Sequence, residues 1–333
     1  MKLNNIFTSH MVFAKGLPIR IYGEGSGVVQ IRFAGHQKTI TSHKQKWLIE
    51  FPPMEYGGPY SMEVIFEEET VVLEDIYIGE VILFAGQSNV QFKMEESNTP
   101  TEQYQSNHKL RLYSTDRIEK TDYFTARDGW VVCEKEQVAH WSALAYLAGN
   151  EISRKKDIDV GVIACYQGAS VIESWVPKGT FENRNIHIPL EKKHPDHFAQ
   201  WNGDGVLYTH SLSQVVPFSL SAVVWYQGES DTSEEEGRVY SDQLAALIGV
   251  WRRDFDCENL PFVVVQIADY RDRSDAGWAL IQKAQIDVQT KMPWVKTVVS
   301  ADVCETNDIH PPTKTKLAQR ISSVILDPMT RQS

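Results

Sequence analysis

The sequence predicts an α/β protein: an open, doubly wound parallel sheet of about five strands with a small N-terminal antiparallel β module. Three observations predict it. Apolar residues alternate with period two up to about residue 77, then run continuously in short stretches, and residues with helical spacing separate those stretches. The boundary places the β module at 1–77 and the α/β unit at 78–333.

In the first unit Val29, Ile31 and Phe33 alternate with Gln30 and Arg32. Trp47, Ile49 and Phe51 repeat the pattern, as do Met62, Val64 and Phe66. Glycine-rich turns at 23–27 and Gly57-Gly58-Pro59 punctuate these runs, as expected of short antiparallel strands. The link at 77–80 runs straight into the next strand, which makes the module a support along one sheet edge.

In the second unit five continuous apolar runs, at 81–85, 160–165, 222–226, 262–267 and 296–300, suit strands covered on both faces. Helical faces follow from Leu144, Ala148 and Ile152; Tyr208, Leu212 and Val215; Tyr240, Leu244, Leu247 and Trp251; and Ile281, Ala284 and Val288. A last helix, carrying Leu317, Ile321 and Val324, starts after Pro311-Pro312. The stretch 91–139 shows no clear period and is expected to form an irregular wall near the site.

Composition excludes several classes. Of 333 residues, 42% are hydrophobic and 23% charged, the usage of an ordinary globular chain. A net charge of −11 with no basic stripe disfavours nucleic acid. No apolar run approaches the roughly 20 residues of a membrane span, so no membrane partner is expected. The opening Met1-Lys2-Leu3-Asn4-Asn5 lacks the apolar stretch of a signal peptide, and a cytoplasmic location is expected. Cys133, Cys165, Cys257 and Cys304 form no Cys-x-x-Cys pair, which argues against a zinc ribbon or redox pair.

Ligands of open α/β sheets bind beyond the carboxyl ends of the strands. Four of the five predicted strand ends carry polar, turn-forming residues: Gly86-Gln87-Ser88-Asn89; Gln167-Gly168-Ala169-Ser170 with Glu173 and Trp175; Gln227-Gly228-Glu229-Ser230-Asp231; and Asp302 with Asn307-Asp308-Ile309-His310. Together they supply an acyl-transfer set: Ser88 as nucleophile, His310 as base, Asp308 as the acid that orients it. The amides of Ser88 and Gly168 and the side chain of Gln227 are the oxyanion donors. Asp302 is a second candidate acid, and a dyad helped by a backbone carbonyl is a third arrangement.

These residues carry a resemblance. The four blocks, with Ile172-Glu173-Ser174-Trp175 and Trp225-Tyr226-Gln227-Gly228-Glu229-Ser230, resemble the sialate O-acetylesterase family of SGNH hydrolases. So do His10-Met11-Val12 and Trp47 with Pro52-Pro53-Met54 in the β module, and Trp278-Ala279-Leu280-Ile281 before the last strand. The resemblance implies a flavodoxin-like sheet and a serine esterase that removes O-acetyl groups from sialic acid or oligosaccharides without metal or cofactor. The partner is then a small acetylated sugar; nothing in the sequence specifies the oligomeric state. Departures from the family pattern are Val90, Ala169, Val171 and Thr209-His210, none of which touches Ser88, Gln227 or His310.

Gln87, Asn89, Glu173, Trp175 and Glu229 are the candidate substrate-binding residues. Each also has a structural reading: loop orientation for Gln87 and Asn89, bracing by an arginine for Glu173 and Glu229, core for Trp175. Trp201 and Trp225 are weaker candidates for a sugar-stacking face. His187, His194 and His197 lie in a proline-containing segment read as a solvated or substrate-rim loop rather than a metal site, and Glu234-Glu235-Glu236 as the acidic first turn of a helix. The rival functions are an esterase or thioesterase for longer acyl chains and a non-catalytic carbohydrate-binding protein.

Overall fold

The computed structural model describes residues 1–43, 45–67, 69–118, 122–273 and 276–327; residues 328–333 of the second unit lie outside them. The N-terminal strands are β1 (Lys2–Leu3), β2 (Val12–Ala14), β3 (Ile19–Glu24), β4 (Gly27–Phe33), β5 (His36–Ser42), β6 (Lys46–Phe51) and β7 (Gly57–Phe66). The alternating residues Val29, Ile31, Phe33, Trp47, Ile49, Phe51, Met62, Val64 and Phe66 are all buried, as period-two strands with one inward face require. β1, β3 and β6 form one small sheet; β4 pairs with β5 and β7 in another. Phe33 meets Phe51 and Trp47 meets Phe66 edge-on between the two.

β8 (Glu69–Gly86) joins the two units as one strand. Its first half pairs with β7, and its second half lies between β11 (Val160–Tyr166) and β12 (Ala222–Tyr226). With β9 (Asn107–Ser114), β10 (Val131–Cys133), β13 (Phe262–Val265) and β14 (Val295–Val298), the order is β10-β9-β11-β8-β12-β13-β14. β10 is antiparallel to β9; the remaining neighbours pair in parallel. Continuity through β8 produces an 11-stranded mixed sheet. This corrects the expected parallel sheet of about five strands. The five predicted strands are present in the chain order 2-1-3-4-5, but β9 and β10 extend them from within the stretch that showed no period.

β9 escaped pattern reading because its sequence mixes charge into a buried strand. Arg111 is 2% exposed, held by Asp159 at 2.7 Å and stacked 4.2 Å from the Tyr77 ring centroid. The helices α1 (Ser88–Gln91), α2 (Ala143–Lys156), α3 (Val206–His210), α4 (Glu234–Asp254), α5 (Ala276–Lys291) and α6 (Thr315–Leu326) complete the unit. α3 is shorter than its period suggested, giving way to a 3-10 turn at Leu212–Gln214. α4 opens with a capping box between Ser233 and Glu236. Among the described residues no helix is long and apolar enough to cross a membrane, and the four cysteines are unpaired.

Candidate active site

The site forms where β8, β11 and β12 end. Gly86 adopts φ +142°, and a Cβ there would lie 2.0 Å from the Tyr226 carbonyl oxygen, so only glycine lets the chain leave the sheet at this point. The sharp exit places Ser88 at the start of α1, half-buried. Neither its backbone N–H nor its hydroxyl is hydrogen-bonded to another described residue. Gly168, just past β11, lies against it: a Cβ built there stands 3.8 Å from the Ser88 Cβ. The Gly168 N–H donates to Gln91 Oε1 at 3.0 Å, so the Gln91 side chain covers one of the two backbone N–H groups expected as oxyanion donors.

His310 reaches this edge from the loop after β14. Asn89 donates to the Ile309 carbonyl at 3.0 Å, and the Phe92 ring lies 6.4 Å from the His310 ring. The residues next to Ser88 are thereby tied to those beside His310. Burial and then the positive charge of Lys314 lower the imidazole pKa from its ordinary value, against the opposing carboxylates of Asp308 and Glu96. Asp308 is exposed and accepts the backbone N–H of His310 at 2.8 Å. It shapes the turn that carries the base; among the described residues no group is hydrogen-bonded to the His310 ring. Asp302, the second candidate acid, is held by both oxygens on Arg320 at 2.6 Å, and that guanidinium pulls its pKa down to about 2.

The remaining sequence candidates are struts. Gln227 is fully buried, gives its amide hydrogens to the Ser170 carbonyl and the Asp231 carboxylate, and accepts from Tyr240. With both hydrogens engaged it is not a free oxyanion donor, which corrects the assignment made from its motif. Gln87, 3% exposed, accepts from the Gly228 N–H at 3.2 Å and donates to Ser230. Asn89 is 1% exposed and Glu229 2%, the two joined at 2.6 Å. Burial raises the Glu229 carboxyl to about 7. Trp175, expected as a sugar-binding face, is wholly buried: its indole N–H bonds the Ser170 hydroxyl and its ring packs edge-on against Trp225, also buried. Glu173 is braced as one of its two readings expected, but by Lys193 and by His187 at 2.5 Å instead of an arginine.

The histidine segment packs behind the Gly168 loop. Asn202 receives the Val171 N–H and donates to the Ala169 carbonyl at 2.8 Å, and Trp201 donates to that same carbonyl at 3.3 Å. His194 bonds to the Asp196 N–H. His197 is buried between Asp231, 3.5 Å away, and Glu236, which it contacts directly. Burial alone would depress its pKa, but the two carboxylates outweigh that effect and push it up to about 9. These three side chains bring one ligand atom each within 4.8 Å of one another, and the direct contact gives them the spacing of an ion triad. Lys314 and Gln91 are the site residues that motif reading missed.

Residues 78–326 match the family described as carbohydrate esterase, sialic acid-specific acetylesterase. The chain belongs to this family. It is 27% identical to the sialate O-acetylesterase of Pongo abelii and 26% identical to that of Homo sapiens, each over 322 residues covering 85% of this chain. It spans about 60% of the length of these two relatives. A carbohydrate acetylesterase from Xanthomonas citri shares the fold with a TM-score of 0.84 at 21% identity, over 97% of this chain and 74% of that one. That likeness includes the N-terminal β module, which the family match leaves out.

Proposed function

We propose that this chain is a serine esterase that hydrolyses O-acetyl esters of carbohydrates. One observation carries the reading. Ser88 is half-buried at the mouth of the sheet, its hydroxyl and N–H unbonded among the described residues, in a turn tied through Asn89 to the segment bearing His310. Membership of a carbohydrate esterase family points the same way.

The Ser88 Oγ attacks the acetyl carbonyl as His310 takes its proton, so that the Oγ–C bond forms and the carbonyl oxygen becomes an oxyanion. The N–H groups of Ser88 and Gly168 hold that oxyanion once the Gln91 side chain turns aside. Collapse breaks the ester C–O bond, and His310 protonates the departing sugar hydroxyl. Water, deprotonated in turn by His310, releases acetate and restores Ser88. Asp308 holds the backbone turn on which the imidazole sits and contributes a negative charge that favours the imidazolium formed in the transition state.

Trp201, half-buried, donates its indole N–H to the Ala169 carbonyl next to Gly168 and is the aromatic ring offered to a sugar. Acetate release from acetylated sialic acid, xylo-oligosaccharides and manno-oligosaccharides, run beside acetyl and octanoyl esters of one alcohol, tests the reading. Preference for the acetyl ester and release from at least one sugar support it. Preference for octanoyl would assign the chain to longer acyl groups.

A further inference from the structure

Three separate parts of the sequence meet at one buried amide. Asn89, the residue after Ser88, donates to Glu229 Oε1 at 2.6 Å and to the Ile309 carbonyl at 3.0 Å. Its Oδ1 accepts from Lys314 Nζ at 2.7 Å. Lys314 is fully buried just before α6, with its ammonium 4.7 Å from the Phe92 ring centroid and 6.0 Å from that of Tyr226. The strand end after β8, the strand end after β12 and the His310 loop are thus fastened by one cation and one amide. A buried ammonium is costly to keep unless its partners hold it.

We propose, building on the esterase reading, that Lys314 is a positioning residue: it locks the Ser88 turn to the His310 loop through Asn89. Its positive charge also disfavours the protonated imidazole. Removing that charge leaves the imidazole facing the carboxylates of Asp308, on its own loop, and Glu96, on the turn after α1. Both favour the protonated ring. Lys314 itself faces Glu229, Cys304, Glu305 and Asp308, all of which favour its charged form against burial, and its pKa settles at about 8. It therefore remains charged at neutral pH.

The test uses the near-isosteric Lys314→Met. The proposal expects kcat on a small acetyl ester to fall on the order of 100-fold, the cost of a slight misplacement of reacting groups. The acidic limb of the rate profile should move to higher pH, because the ring now holds its proton longer. A merely structural lysine would lower activity without moving that limb. In parallel, the His310 ring is titrated by NMR in Ser88→Ala protein with and without Lys314→Met, a measurement that does not depend on turnover. An upward movement of the His310 titration supports the proposal even if the esterase reading fails; an unmoved titration overturns it even if that reading stands. Should Lys314→Met not fold, Lys314→Gln takes its place: an upward movement of the His310 titration relative to the otherwise unaltered chain supports the proposal, and an unmoved one overturns it.

Discussion

Two groups of polar residues share the same strand-end motifs, and the structure treats them differently. Ser88 and His310 are half-buried, and among the described residues nothing is hydrogen-bonded to the Ser88 hydroxyl or the His310 ring. Gln87, Asn89 and Gln227, drawn from the same motifs, are at most 3% exposed and hydrogen-bonded within the protein. A reacting group must have free bonding capacity to offer a substrate. A strut must have little, because an unsatisfied polar group in the interior costs about 1–3 kcal/mol. On the proposed mechanism, the difference separates what performs the chemistry from what holds it in place.

The comparison predicts a division of effects. After the nucleophile itself, the largest is expected at His310: His310→Ala should lower kcat on a small acetyl ester roughly 10²–10⁴-fold, the usual contribution of a general base, with little change in melting temperature. A large loss of thermal stability there would place His310 among the struts. Next comes Trp175→Ala, which should cost about 3–5 kcal/mol of stability, as other buried aromatic truncations do. Below its melting point that variant should keep its KM for sugar esters. A raised KM with unchanged melting temperature would make Trp175 a sugar-binding residue after all.

The smallest effect is a pH dependence of stability centred on His197. Its pKa is raised to about 9 in the folded chain, above the ordinary value of about 6.5 in an unfolded one. The stabilisation is therefore fully present below about pH 6.5 and is lost as pH rises through about 9. Chemical denaturation across that interval should show declining stability in the natural chain and a flatter profile in His197→Gln. Equal slopes in the two would remove the ion triad from the account of how the 195–202 segment is held.

Much of this was legible in the sequence. The alternation of Val29, Ile31 and Phe33 and the continuous run ending at Tyr226 each fix a strand through burial, a property of the apolar residues themselves. Ser88 and His310 stood out because catalytic residue types at the carboxyl ends of parallel strands fall where such folds bind ligands. What stayed hidden depended on partners distant in the chain. Arg111 reads as a solvent-facing charge until Asp159 and Tyr77 surround it. Trp175 and Trp225 are open to both a site and a core reading until their edge-on packing is seen. Gln227 sits in the most distinctive motif of the chain, yet a motif does not reveal that both amide hydrogens are already engaged. Lys314 had one available signal, a lysine two residues after Pro311-Pro312 at the entrance to an apolar-faced helix. Only the contact with Asn89, 225 positions away, gives it a role.

The central claim is that Ser88 is the nucleophile of an acetyl-ester hydrolase. Acetate release from a small acetyl ester by purified Ser88→Ala protein, compared with the natural chain at matched folded concentration, tests it most directly. The account predicts that release falls to the uncatalysed background while the melting temperature stays the same. Turnover undiminished in that variant, with contaminating esterase excluded, would contradict it.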